Sequence, residues 1–294
     1  MNRIQSWIEK HIPEQGGKTI LITGANSGIG FEAARILAER GASVIMACRS
    51  PEKGQQAAAR ISAAVEVMHL DLADLRQIEA FVAAFGERHE RLDVLINNAG
   101  VMACPLQRTA DGFEMQFGVN HLGHFALTGH LLPHLLAAPA GRVVTVSSMV
   151  HHRGRMDFDN LNAEKSYHRW GAYAQSKLAN LLFTFELQRR LAAAGHQAIS
   201  VAAHPGYSAT RLQRHLGVFQ IGNLLAQSAR MGALPTVYAA AATDVQGGEF
   251  FGPRWFEYRG FPVRVQANPA AHNRAHARRL WEISERLTEI TFPL

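Results

Sequence analysis

Tyr173 and Lys177 lie four residues apart in "YAQSK", a spacing that puts both on one face of a helix. An isolated tyrosine, with a pKa near ~10, is a poor proton donor or acceptor at neutral pH. A lysine cation ~5 Å away, at an effective dielectric of ~20, is worth about 3 kcal/mol to the phenolate, which lowers that pKa by ~2.4. The pair would then pass protons near neutrality. Tyr and Lys also fall four apart on many solvated helices, so the pair needs a partner that polarises an oxygen. "TVSSM" supplies Ser147 and Ser148 where an apolar run ends. Such a set handles the proton and the oxygen of a carbonyl or alcohol and leaves the hydride to a cofactor.

A place for that cofactor is "LITGANSGIG", residues 21–30, in which an apolar run ends at Thr23 and Gly24, Gly28 and Gly30 precede "FEAARILAERG". A strand, a glycine turn and a helix N-terminus make an anion site, because unpaired N–H groups and the positive dipole end point outward. The spacing G-x-x-x-G-x-G differs from the common dinucleotide fingerprint. Taken alone, the glycines read equally as a capping turn that needs positive φ. The next apolar run ends in "MACRSPEKG", with Arg49 after Cys48 and no carboxylate at the strand end. NAD sites place an acid there for the ribose 2′-hydroxyl, and NADP sites a base. A guanidinium grips a phosphate through two parallel hydrogen bonds, so Arg49 favours NADP(H) over NAD(H), with Lys53 as a second positive charge.

The elements that must position these residues alternate along the chain. "TILIT" (19–23), "SVIMAC", "VEVMHL", "LDVLINNAG" (92–100), "GRVVTVSS" (141–148) and "HQAISVAAHPG" read as six strands. Amphipathic segments separate them, among them a long stretch from about Phe113 to Leu136 and "AYAQSKLANLLFTFELQRRLAAAG". The strands are Val/Ile-rich and nearly unbroken, as in a parallel sheet covered on both faces. The expected fold is α/β, a doubly wound parallel sheet (Rossmann fold) in a single domain over residues 17–294, preceded by an N-terminal extension, 1–16. Ser148 then sits at the carboxyl edge of the sheet, where such folds place ligands.

Bulk composition narrows the class. Of 294 residues 47% are apolar, enough for a sizeable core. Thirty basic against 24 acidic residues give a net charge of +6, but the basic residues are scattered, so no nucleic-acid partner is expected. Two cysteines, Cys48 and Cys104, lack metal or disulfide spacing and fit a reducing compartment. "MNRIQSWIEKHIPEQGGK" carries no signal-peptide core and no window approaches a membrane span, so a cytoplasmic protein without membrane partners is expected.

Thr23 to Gly30, Asp71, "NNAG" (Asn97 to Gly100), Asn120, Ser148, Tyr173-x-x-x-Lys177 and Pro205-Gly206 resemble the short-chain dehydrogenase/reductase family, in order over about 190 residues. "MACRSPEKG", "VNHLGHFALTGHLLP", "VSSMVHHRGRMDFDNLN" and "YAQSKLANLLFTFEL" resemble its retinol dehydrogenase and WW-domain oxidoreductase branch, although no WW domain or N-terminal anchor is expected here.

The resemblance implies roles. Gly24, Ser27, Gly28, Ile29 and Gly30 would approach the pyrophosphate and adenosine ribose, and Asp71 with Leu72 would hold the adenine. Asn98, Ala99 and Gly100 would form the wall behind the cofactor, and Pro205, Gly206 and Thr210 would line the nicotinamide. Ser148 would bind the substrate oxygen, Tyr173 would transfer the proton, and Lys177 would bind the nicotinamide ribose. Asn120, beside a kink in the long helix, would hold a water that relays protons to Lys177. The resemblance further implies a hydrophobic aldehyde, ketone, retinoid-like or steroid-like substrate and a homodimer or homotetramer.

The loops at about 149–172 and 207–232 are candidate walls of the substrate pocket. His151, His152 and His168 lack acidic or cysteine partners at ligand spacing, so no metal site is expected. His121 and His124 read as packed or solvated, and Trp170, Phe219 and Met231 as pocket lining or core, with core favoured. Two other readings stay open: an NAD-linked alcohol dehydrogenase, and a dinucleotide-sensing regulator without chemistry.

Overall fold

The computed structural model describes residues 3–208 and 226–294. Eight strands form one sheet in the order β3-β2-β1-β4-β5-β6-β7-β8. They are β1 (Thr19–Thr23), β2 (Ser43–Cys48), β3 (Val65–His69), β4 (Val94–Asn97), β5 (Arg142–Val146), β6 (Ile199–Ala203), β7 (Phe250–Trp255) and β8 (Arg259–Arg264). Strands β1 to β7 run parallel, and β8 pairs antiparallel with β7 at the edge. The order reverses between β1 and β4, which opens a crevice beyond their carboxyl ends.

The six expected strands are all present, and β7 and β8 are additions. Gly252, Pro253 and Arg254 break any apolar run in β7, and β8 carries Gly260 and Pro262. Only Phe250 and Phe251 of β7 pair with β6, and the rest is held by the hairpin. A proline cannot donate to a ladder and is tolerated near an edge.

Alternation along the central strands feeds two cores. Ile20 and Ile22 of β1 face a layer with Phe31 and Leu37 of α2 (Gly28–Glu39) and Leu234 and Val237 of α8 (Ala229–Ala241). Leu21 faces the other layer, with Phe81 and Phe85 of α4 (Leu75–Gly86), Phe125 of α6 (Gly123–Leu136), Phe183 of α7 (Arg169–Ala193) and Trp281 of α9 (Arg274–Thr288). Helix α3 (Pro51–Ala58) follows β2. Within the first 16 residues, α1 (Arg3–His11) buries Ile8, and Trp7 stacks on Phe261 at 5.4 Å.

The long helix before β5 is built in three pieces. Helix α5 (Met115–Phe117) leads into a π turn (Gly118–Leu122), which continues as α6. The Gly123 N–H reaches back five residues to the Gly118 carbonyl, widening the helix at Asn120. His121 is fully packed in this turn, with Nε2 2.9 Å from the Ser284 hydroxyl of α9, and burial pushes its pKa down to about 3. Among the described residues no helix is long and apolar enough to cross a membrane.

Candidate active site

The registers bring the carboxyl ends of the central strands level. Thr23 pairs with Ala47, Asn97 with Thr145, and Val146 with Ala203. The glycine turn, Arg49, Asp71, Asn98 to Gly100, Ser148 and Pro205-Gly206 therefore all leave the sheet along one edge. Thr210 and Phe219, and most of the expected loop 207–232, lie outside the described residues.

Two of the three glycines are needed by the protein's own packing. Gly24 has φ +66°, and a Cβ on it would stand 3.0 Å from Ala99. A Cβ on Gly30 would meet Asn98 Nδ2 at 2.5 Å and the Gly24 carbonyl at 2.7 Å. Gly28 has φ +58°, a left-handed conformation at the first residue of α2. Ser27 stands at the N-cap without a side-chain bond to the helix. The α2 N-terminus thus lacks the usual side-chain cap, and its first-turn N–H groups suit a phosphate. These residues fit a dinucleotide. Gly30→Ala should lower stability by about 2 kcal/mol before any ligand is added, because backbone must yield to the new methyl. Thermal denaturation of the ligand-free protein measures this, and an unchanged Tm would contradict it.

Asn98 and Ala99 form the wall opposite. Their N–H groups both donate to the Thr23 hydroxyl oxygen at 2.9 Å, and Asn98 Nδ2 donates to the Thr23 carbonyl at 2.7 Å. Asp71 folds its carboxylate onto the Ala73 N–H at 3.0 Å, and Leu72 is buried beside it. Arg49 is exposed just past β2. Ser50 caps α3 by accepting the Lys53 N–H at 3.3 Å and donates to Glu52 at 2.8 Å. Gly206 has φ +62°, and a Cβ on it would lie 2.4 Å from the Tyr258 carbonyl, so the Pro205-Gly206 turn is pressed against the β7–β8 tip.

Helix α7 is stapled to the end of β5. The Ser147 hydroxyl, buried, donates to the Lys177 carbonyl at 2.9 Å. Lys177 Nζ and Asn180 Nδ2 both donate to the Val146 carbonyl, at 3.0 and 3.2 Å. These bonds set Tyr173 against Ser148, whose hydroxyl is near enough to favour the phenolate. Ser148 also caps a short 3-10 turn by accepting the Val150 N–H at 3.3 Å.

Electrostatics here correct the sequence expectation. Burial pushes Tyr173 up to about 12, offset only in part by the Ser148 hydrogen bond. Burial pulls Lys177 down to about 8. Its Nζ lies 5.8 Å from the centre of the Tyr173 ring and is committed to Val146. A pairwise Coulomb argument omits the cost of desolvating both groups, and here that cost is the larger effect.

Asn120 sits in the π turn with no exposure. Its Oδ1 accepts the Val101 N–H at 2.8 Å, and its Nδ2 donates to the Val101 carbonyl and the Ser176 hydroxyl, each at 3.0 Å. Asn120 and Lys177 face one another across Gly100, where a Cβ would stand 3.0 Å from Asn120 Oδ1 and 3.6 Å from Lys177 Nζ.

The remaining candidates divide. Trp170 is not core: it is 37% exposed, with its ring edge-on to Tyr173 at 6.3 Å, as a wall residue would be. Met231 is half-buried against the first core. His151 donates from Nδ1 to the Ser148 carbonyl at 2.6 Å and accepts the Asn268 N–H at 3.1 Å. His168 caps α7. His124 is packed, one of its two expected readings, and the unforeseen part is that its ring joins Thr23 to Asn120. Its place four residues after Asn120 was the available signal.

A doubly wound sheet with an uncapped glycine turn and a Ser-Tyr-Lys cluster along one edge is the architecture of a Rossmann-type dinucleotide-binding fold. The short chain dehydrogenase family model matches residues 18–219, and the chain belongs to this family. It is 45% identical to retinol dehydrogenase 13 of Homo sapiens, over 94% of this chain and 86% of that one. It is 44% identical to human retinol dehydrogenase 12, over 91% and 85%. A crystal structure of an uncharacterized Mycobacterium paratuberculosis protein superposes with a TM-score of 0.83 at 49% identity, covering 96% of this chain and 97% of the other. A Shigella flexneri short chain dehydrogenase complexed with NADP superposes at 0.66 and 25% identity, covering 81% and 97%.

Proposed function

We propose that the protein is an NADP(H)-dependent oxidoreductase interconverting a hydrophobic carbonyl compound and its alcohol, with Ser148, Tyr173, Lys177 and Asn120 as its working residues. The observation that carries this reading is the buried Tyr173 phenol set beside Ser148 on a helix stapled to the end of β5 by Ser147 and Lys177. When bound, the cofactor supplies or accepts the hydride at its nicotinamide ring. The chain's residues do the rest.

The open first turn of α2 holds the pyrophosphate, and Arg49 beside it pairs with the 2′-phosphate. Ser148 and Tyr173 donate hydrogen bonds to the carbonyl oxygen and polarise it. With a pKa of about 12 the phenol is fully protonated at neutral pH, yet far more acidic than an alcohol, whose pKa is near that of water at ~16. In reduction Tyr173 therefore gives its proton to the alkoxide as it forms, and in oxidation it takes that proton back. Lys177 orients the ribose hydroxyls and supplies positive charge beneath the phenolate. Asn120 keeps the Val101 backbone in place through its N–H and carbonyl. A hydrophobic substrate is supported by the retinol dehydrogenases among the relatives and by the aromatic wall at Trp170.

The test is reduction of a panel of hydrophobic aldehydes and ketones with NADPH and with NADH. NADPH-dependent turnover is expected, and no turnover with either cofactor would refute the reading. Arg49→Ala should weaken NADPH about thirtyfold, the equivalent of ~2 kcal/mol, and leave NADH unchanged. Fluorescence titration of both cofactors measures this. Equal losses for the two would remove Arg49 as the selector.

A further inference from the structure

His124 lies on α6, one turn past Asn120, and is 2% exposed. Its Nδ1 is 3.0 Å from the Asn120 carbonyl, and its Nε2 is 2.9 Å from the Thr23 hydroxyl. A carbonyl only accepts, so Nδ1 carries the proton, Nε2 is the acceptor, and the Thr23 hydroxyl donates to it. That hydroxyl still accepts the N–H groups of Asn98 and Ala99 on its lone pairs. One ring thus joins the start of the glycine turn, the wall formed by the β4 loop, and the π turn. Thr23 and Asn120 have no exposure, so water does not compete for these bonds. Burial pushes the His124 pKa down to about 4, so the ring stays neutral, with one donor and one acceptor, around neutral pH.

We propose that His124 is a positioning residue that clamps the dinucleotide-binding turn at Thr23 to the Asn120 π turn, so that cofactor binding and proton handling share one buried support. The proposal rests on the oxidoreductase reading above. Without the ring, the Thr23 hydroxyl has another acceptor, the Ile96 carbonyl at 3.4 Å. Turning toward it shifts the lone pairs that hold the Asn98 and Ala99 N–H groups. At the other end, the Asn120 carbonyl loses the ring N–H, and the turn facing Lys177 loosens.

The experiment compares wild type, His124→Phe, His124→Gln, Thr23→Val and the Thr23→Val/His124→Phe double variant. Each is assayed for NADPH dissociation constant and for kcat and KM of carbonyl reduction. His124→Phe keeps an aromatic ring in the core but loses both hydrogen bonds. It should raise the NADPH dissociation constant about tenfold and lower kcat about tenfold, with the KM for the carbonyl substrate unchanged. His124→Gln retains a donor and an acceptor and should recover most of both losses. Thr23→Val should reproduce the loss in NADPH affinity, and the double variant should lose less than the product of the two single losses, because the Thr23–His124 bond is shared by both.

Unchanged NADPH affinity and kcat in His124→Phe would overturn the clamp, as would multiplicative losses in the double variant. If His124→Phe fails to fold, the comparison of Thr23→Val with His124→Gln decides. Loss in the first with retention in the second supports the clamp, and full affinity in Thr23→Val refutes it. A wild-type protein that binds no dinucleotide refutes the oxidoreductase reading itself, and the clamp with it. Normal wild-type binding with silent variants refutes the clamp alone.

Discussion

Tyr173→Phe is expected to lower kcat about a thousandfold while the NADPH dissociation constant moves by less than about twofold. General acid catalysis is worth ~10² to 10⁴ in rate, and here the same hydroxyl also polarises the substrate oxygen. The phenol's neighbour is Ser148, which follows β5, two strands away in the sheet from β1 and the α2 N-terminus where phosphates would bind. Removing the phenol oxygen leaves no buried group stranded, because the Ser148 hydroxyl keeps the Val150 N–H at 3.3 Å. The phenyl ring retains its packing, including the edge contact with Trp170. Stability should therefore stay within ~1 kcal/mol of wild type. Steady-state kinetics with a cofactor titration on the same preparation gives both numbers. A variant that kept a tenth of wild-type turnover would exclude Tyr173 as the proton donor. The experiment also separates an enzyme from a dinucleotide sensor, for which this substitution would change nothing measurable.

Much of the fold was legible because burial on both faces leaves a strong mark. A strand such as "TILIT" has no reason to be so apolar unless helices cover both sides, and β1, β2, β4, β5 and β6 carry that mark, whereas β3 at the far edge mixes Glu66 and an exposed His69 among its apolar residues. β7 and β8 lack it. Their glycines and prolines are tolerated because most of their ladder is a hairpin at the sheet edge, a fact of tertiary context invisible in a local window. The candidate cluster was legible for a similar reason: Tyr173 and Lys177 share a helix face, and Ser148 ends a strand.

Two things were not legible. The first was the sign of the Tyr173 shift. Spacing gives a distance between charges, whereas desolvation depends on how completely α7 is covered by elements distant in sequence. The second was the role of His124. Its bond to Asn120 spans four residues, but the partner that gives it meaning, Thr23, is 101 residues away. A buried histidine reads as packing until its second nitrogen is accounted for.

Lys177→Met is expected to lower kcat at least a hundredfold and yet to make the protein more stable at neutral pH. The lysine is 4% exposed, and burial alone draws its pKa from the usual 10.5 to about 8. That fall is worth ~3 kcal/mol against the charged form. Because the folded pKa lies below the unfolded one, the unfolded chain binds more protons between pH 8 and 10.5, and stability rises with pH through that window. The whole cost of the charge is thus carried at pH 7 and is gone above the unfolded pKa. Methionine fills a similar volume without charge. The Val146 carbonyl is not orphaned by the change, because Asn180 Nδ2 still donates to it at 3.2 Å. The variant should therefore exceed wild type by about 1 to 3 kcal/mol at pH 7, and the gap should close towards pH 10.5. Urea denaturation at the two pH values measures it. A variant less stable than wild type at pH 7 would mean that Lys177 supports the fold. The expected pattern would mean that the protein carries a destabilising charge at the one position where its chemistry uses it.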